Sequence, residues 1–176
     1  SARRRRSLRT AALTGSSGLT KTDMGTLLLT GTNSYAGGTR IEGGTVRVDG
    51  AGTLGAATGA LAIAAGARLD LYGTTQRVGG LSGAGTVSDS KSGSTLLGIL
   101  LSDQAADTTF SGRLQNGGKG LYLRKEGTGR LTMTGANTLY SLSADGGEVV
   151  LSGAGASLAA SYSIDAGSRG PGTIRI

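Results

Sequence analysis

Cysteine, histidine and tryptophan are absent from this 176-residue chain, which holds a single Phe and a single Pro. Without Cys there can be no disulfide staple and no thiolate metal site. Without His there is no imidazole ligand and no Ser-His-Asp or Cys-His dyad carried by this chain alone. Most hydrolase templates therefore fail on composition. Long hydrophobic runs are missing too: the strongest, Leu96 to Leu101, falls far short of the roughly 20 residues a membrane-spanning helix needs. No Walker loop, GxSxG elbow, EF-hand, RTX nonapeptide or Asn-X-Ser/Thr sequon occurs. No signal peptide opens the chain, which starts at Ser1 rather than Met, so it reads as an internal piece of something longer.

What replaces the missing residues is small. Gly (34), Thr (22), Ala (22) and Ser (19) fill more than half of the positions, which argues against helical packing. The glycine is not collagen-like, because Pro is nearly absent and no Gly-X-Y period exists. With 37% hydrophobic residues, 23 of them Leu, a thin aliphatic core is affordable. The net charge of +7 is local: residues 1–9 hold five Arg and no acid, leaving 13 basic and 11 acidic residues elsewhere. No basic helix or interleaved aromatics continue the Arg run, so residues 1–20 read as an Arg-rich flexible linker, and no nucleic-acid partner is expected.

Self-similarity organises the rest. GTLLLTGTNSY at Gly25–Tyr35 returns as GRLTMTGANTLY at Gly129–Tyr140, aligning Gly25 with Gly129, Leu27 with Leu131, Leu29 with Met133, Thr30 with Thr134, Gly31 with Gly135 and Asn33 with Asn137. Lys21 aligns with Lys125, and after a one-residue slip GGTVRVDG at Gly43–Gly50 answers GGEVVLSG at Gly146–Gly153. The repeats therefore lie near 21–50 and 125–153. A looser unit of two aliphatics one residue apart runs between them, as in Val46/Val48, Leu61/Ile63 and Leu69/Leu71. Steps such as Val46 to Leu69, Leu69 to Val87, Leu131 to Val149 and Val149 to Ile174 are spaced for stacked coils.

Short period-2 strands recurring without helical periodicity predict an all-β chain, a single-stranded parallel β-helix (solenoid) of about six or seven coils over 21–176. The predicted core is Leu27, Leu29, Ile41, Val46, Val48, Leu69, Leu71, Leu131, Met133, Val149 and Leu151. Gly31, Asn33, Gly135 and Asn137 are predicted at corners, the asparagines as Asx-turn residues. An antiparallel sandwich is the competing all-β arrangement, since Asp49-Gly50, Asn116-Gly117 and Asp145-Gly146 are hairpin-type dipeptides.

The stretch Lys21–Val46 resembles the passenger-associated transport repeat of bacterial autotransporters, the type V secretion proteins. Lys21, Gly25, Leu27, Leu29, Thr30, Gly31, Asn33, Tyr35, Gly37, Thr39, Ile41, Gly44, Thr45 and Val46 fill its pattern. The second copy departs from it, with Leu139 at the Tyr35 position and Ser143 at Thr39. The resemblance implies a right-handed β-helix in a passenger exported through periplasm and outer membrane to the surface of a Gram-negative bacterium. It also implies the full protein's own C-terminal outer-membrane β-barrel and an upstream effector domain, of which a subtilisin-like serine protease is one kind. The segment itself would be a non-catalytic stalk with no cofactor and no metal, supporting secretion and folding.

Two alternatives stay open: an adhesin or self-association module, and a carbohydrate-active β-helix enzyme. For the latter, Asp49, Asp70 and Asp89 lie about one coil apart and could form an acid/base or Ca²⁺ column. Yet the register that stacks Val46 on Leu69 sets Arg47 opposite Asp70, a surface ion pair worth at most about 1 kcal/mol. Tyr35, Tyr72, Tyr122, Tyr140 and Tyr162 are spaced irregularly and read as core or corner packing. Lys21 and Lys125 are expected to cap corner carbonyls or cover a coil edge. Unpaired strand edges at the ends predict end-to-end pairing of the isolated chain.

Overall fold

The computed structural model describes residues 7–91, 97–102, 105–116, 120–167 and 169–176. Its strands are short. The first seven are β1 (Ser7–Thr10), β2 (Leu19–Lys21), β3 (Thr26–Leu29), β4 (Thr39–Ile41), β5 (Thr45–Val48), β6 (Ala60–Ile63) and β7 (Arg68–Asp70). The middle of the chain forms β8 (Thr75–Val78), β9 (Gly80–Gly83), β10 (Thr86–Ser88), β11 (Leu97–Leu101), β12 (Thr108–Phe110) and β13 (Arg113–Gln115). Then come β14 (Leu121–Lys125), β15 (Arg130–Met133), β16 (Ala136–Ala144), β17 (Glu148–Leu151), β18 (Ser157–Ala166) and β19 (Thr173–Arg175).

Every pairing among the described residues is parallel, which removes the hairpin-built sandwich. One ladder runs β2-β4-β6-β9-β12-β15-β17-β19. A second runs β1-β3-β5-β7-β10-β13-β16, and a third, β8-β11-β14-β16, joins it on the long strand β16. Strand β18 pairs along both halves of β16. The chain thus winds past these ladders in turn as a parallel β-solenoid of about seven turns. Seven steps of about 4.8 Å give a rod of roughly 34 Å. Strand β1 and the first two residues of β2 lie within 1–20, pairing with β3 and β4; residues 1–6 lie outside the described residues.

The stacking steps read from spacing are those observed. Val46 pairs with Leu69, Leu69 with Val87, Leu131 with Val149 and Val149 with Ile174. Alternating burial along β5, β14 and β17 turns every second side chain inward. All eleven predicted core residues are buried, Leu27 and Leu151 at 7% exposure being the most open. Phe110 fills the same apolar column without exposure.

The asparagines act differently from the expected Asx turns. Asn33 is buried, and its side chain bridges three coils: Oδ1 accepts from the Leu13 amide at 2.8 Å while Nδ2 donates to the Thr53 carbonyl at 2.6 Å. Asn137 lies within β16 rather than at a corner, accepts from the Leu114 amide at 3.0 Å and donates to Gly135 O at 2.7 Å. Where the coil bends and the ladder lapses, these side chains supply the missing backbone partners.

Candidate functional site

The repeat lysines build the first polar assembly. Lys125 occupies an inward register slot, pairing with Leu101 on one side and Ala144 on the other, and is fully buried. Its stem lies in the apolar column while its ammonium reaches the corner. There Nζ donates to the carbonyls of Glu126 and Gly127, each at 2.9 Å, and of Gly146 at 3.3 Å. Burial pulls this ammonium below the ordinary lysine value, with Asp107 acting weakly in the opposite sense. Lys21 repeats the arrangement half-buried, pairing with Ile41 and donating to Asp23 O and to Gly43 O. The acceptors correspond through the repeat, Gly127 to Asp23 and Gly146 to Gly43. Yet β3 and β5 lie in the eleven-stranded sheet whereas β15 and β17 lie in the eight-stranded one. The two copies therefore share a local geometry on different faces of the rod.

The other residues of the repeat fall into place around these lysines. Leu27, Leu29, Ile41 and Val46 in the first copy and Leu131 and Met133 in the second are core. Gly25 O accepts from the Thr45 amide, Gly129 O from the Glu148 amide and Gly31 O from the Thr53 amide, tying successive coils. Gly37 and Gly44 sit where a Cβ would strike the neighbouring coil's backbone, Gly44 at a φ of 64°. Thr30 and Thr134 are half-buried, and the Thr134 amide bonds Phe110 O.

Tyr35 is 3% exposed, and its phenol meets Thr39 Oγ1 at 2.7 Å while that hydroxyl donates to Leu54 O at 3.1 Å. Since the threonine proton is committed, the phenol is the donor. Burial raises the Tyr35 pKa. Above the ordinary value of 10.0 the unfolded chain then ionises first, so the native state holds more protons and stability falls as pH climbs. Urea midpoints at about pH 8 and about pH 11 should separate further for the parent chain than for Tyr35→Phe; equal separations would remove this role.

The acidic residues do not stack as a column. Asp70 pairs with Arg47 and Ser88, not with Asp49 and Asp89. Nor is its ion pair superficial: Asp70 is 1% exposed, taking Arg47 Nε at 2.8 Å, Ser90 Oγ at 2.6 Å and the amides of Ser90 and Tyr72 at 3.0 and 3.3 Å. Both oxygens of Asp70 are thus committed to joining coils and shaping the turn. Arg47 also covers the ring of Tyr72 at 4.5 Å, and Tyr72 adopts a φ of 44°. Asp89 accepts from the Gly73 and Lys91 amides at 2.9 and 3.1 Å. Among the described residues no group of three His, Cys, Asp or Glu could hold a metal ion.

A cleft of about 430 Å³ opens on the third ladder. Its floor is two outward columns, Thr75-Gly98-Tyr122-Ser141 and Arg77-Leu100-Arg124-Ser143-Asp165, stacked in register across β8, β11, β14, β16 and β18. Sequence reasoning missed this surface, because the steps between its members vary from 19 to 24 residues and only the observed register aligns them.

The fold is an all-parallel β-solenoid in which side chains such as Asn33, Asp70 and Lys125 join neighbouring coils. The family description "Passenger-associated-transport-repeat" matches residues 19–48 and 123–141. The chain is also 67% identical over 33 residues to the "Adhesin BmaC autotransporter" of Brucella suis biovar 1 (strain 1330). Those residues are 19% of this chain and 1% of that protein, so the match covers a small part of a far longer relative. No solved structure matches. The chain carries the passenger-associated transport repeat on a parallel β-helix, and both matches support a surface-exposed or secreted autotransporter passenger segment from a Gram-negative bacterium.

Proposed function

We infer that this segment is the non-catalytic stalk of an autotransporter passenger, supporting secretion and folding across the outer membrane and displaying an upstream effector. The observation that carries the reading is the ladder itself: each coil takes its hydrogen bonds and its apolar floor from the coil beside it. Coils formed outside the membrane would then resist sliding back, each burying aliphatic surface at about 25 cal/mol per Å². The partners of this reading are the parent's own C-terminal β-barrel and the effector.

The test places substitutions in the full-length precursor and follows surface display by antibody on whole cells. Val149→Asp puts a charge into the apolar column and should stall display several-fold, whereas Arg130→Ala, which removes an exposed arginine paired with Glu148, should leave it unchanged. Display of Val149→Asp at the parent level would overturn the stalk reading.

A second reading is favoured by the matched relative, an adhesin. On it, exposed faces of the rod contact other molecules, and the exposed Tyr162 and Ile164 on β18 with Ile176 supply a surface for end-to-end pairing.

A further inference from the structure

We propose that the cleft on the third ladder binds an acidic oligosaccharide, its uronate carboxylate on Arg77 and its ring stacked on Tyr122. The phenol ring lies where a side chain at Gly98 would stand: a Cβ built there would meet Tyr122 Cγ and Cδ2 at 2.7 Å. Its hydroxyl reaches back to Thr75 Oγ1 at 3.2 Å. The ring therefore reaches from β14 over Gly98 to β8 and is half-buried. Glycine at 98 is what makes that platform, and an aromatic lying along a sheet with polar neighbours suits the apolar face of a sugar ring.

Arg77 supplies the charge. It stands two residues along β8 from Thr75, so on the same face and about 6.6 Å away. It is exposed and has no carboxylate partner among the described residues. The other arginine of this column, Arg124, is committed to Asp145 at 2.6 Å and Glu126 at 2.9 Å. A hexuronate stacked on Tyr122 brings its carboxylate within reach of the Arg77 guanidinium, a planar donor suited to bidentate pairing. The next rings of the chain then lie over Ser141 and over Ser143, whose hydroxyl is donated to Asp145 Oδ1 at 2.9 Å, with Asp165 and Arg169 at the same end of the lining. A polar cleft that crosses several coils fits a linear glycan better than a compact apolar ligand, whose pockets are lined mainly by hydrophobic groups.

The experiment titrates the 176-residue chain with tetragalacturonic acid and with its fully methyl-esterified form, following heat and amide shifts at physiological salt. Saturable binding of the acid is expected, weakened about tenfold by esterification and about tenfold by Arg77→Gln. Tyr122→Leu keeps an apolar cover over Gly98 but removes the ring, and it should weaken binding of acid and ester alike. Arg113→Gln, which removes an exposed arginine on β13 instead, should leave binding unchanged. Equal losses from Arg77→Gln and Arg113→Gln would mean diffuse attraction to positive charge and would overturn the site. So would ester binding as well as acid, or no saturation by either. Circular dichroism of each variant separates lost binding from lost folding.

Discussion

Replacing Lys125 by Met is expected to destabilise the solenoid by about 2–4 kcal/mol, although methionine fills the apolar column almost as well. The loss comes from the far end of the side chain. Three carbonyls, those of Glu126, Gly127 and Gly146, take their charged donor from one buried ammonium. Without it they lose that donor at a half-buried corner beside a fully buried stem, where an unsatisfied polar group costs about 1–3 kcal/mol. Lys21→Met is the internal comparison. Lys21 repeats the geometry but is half-buried, so solvent can replace it, and the loss should stay below about 1 kcal/mol. Urea denaturation of both variants checks the contrast, and equal losses would mean that burial of the lysine does not set the cost of removing its ammonium.

These two lysines also mark how far the sequence could be read. Their recurrence at matching places in the two copies pointed to a corner role. The period-2 aliphatics likewise fixed the inward columns, because a strand buried on one face leaves that pattern directly. What stayed hidden depended on register summed over several irregular coils. Coil lengths drift because corners absorb different numbers of residues, so no constant spacing links Arg77 to Arg124 or Thr75 to Tyr122. The same drift put the two repeat copies on different faces, although their sequences align over a constant offset. Asp70 was misread for a related reason: its pairing with Arg47 was visible, but its burial depended on Ser90 and on a turn at Tyr72 with a positive φ. Asn33 was read as a local turn residue because its cross-coil partners, Leu13 and Thr53, are 20 residues away on either side.

Gly135→Ala should cost about 3 kcal/mol or more, an effect out of proportion to one methyl group. A Cβ built at Gly135 would stand 1.9 Å from the carbonyl oxygen of Gly112, and one built at Gly112 would stand 1.9 Å from that of Gly85. The obstruction is backbone, so no rotamer change relieves it. Neither Gly112 nor Gly135 has a positive φ, so the demand is for space rather than for a left-handed conformation. Three glycines thus form a column in which each coil seats against the carbonyl of the one before. Adding a methyl must push β13 from β16 or bend the corner, and either movement strains the Leu114 amide bond to Asn137 Oδ1. Gly155→Ala serves as the control: its Cβ would meet only Thr134 O at 3.5 Å, an ordinary contact, and stability should change by less than about 0.5 kcal/mol. Urea midpoints measured on both variants decide the matter, since a mild Gly135→Ala would mean the coils can separate locally without losing the ladder. Close approach of successive backbones, more than any single side chain, would then no longer explain why glycine recurs at these corners.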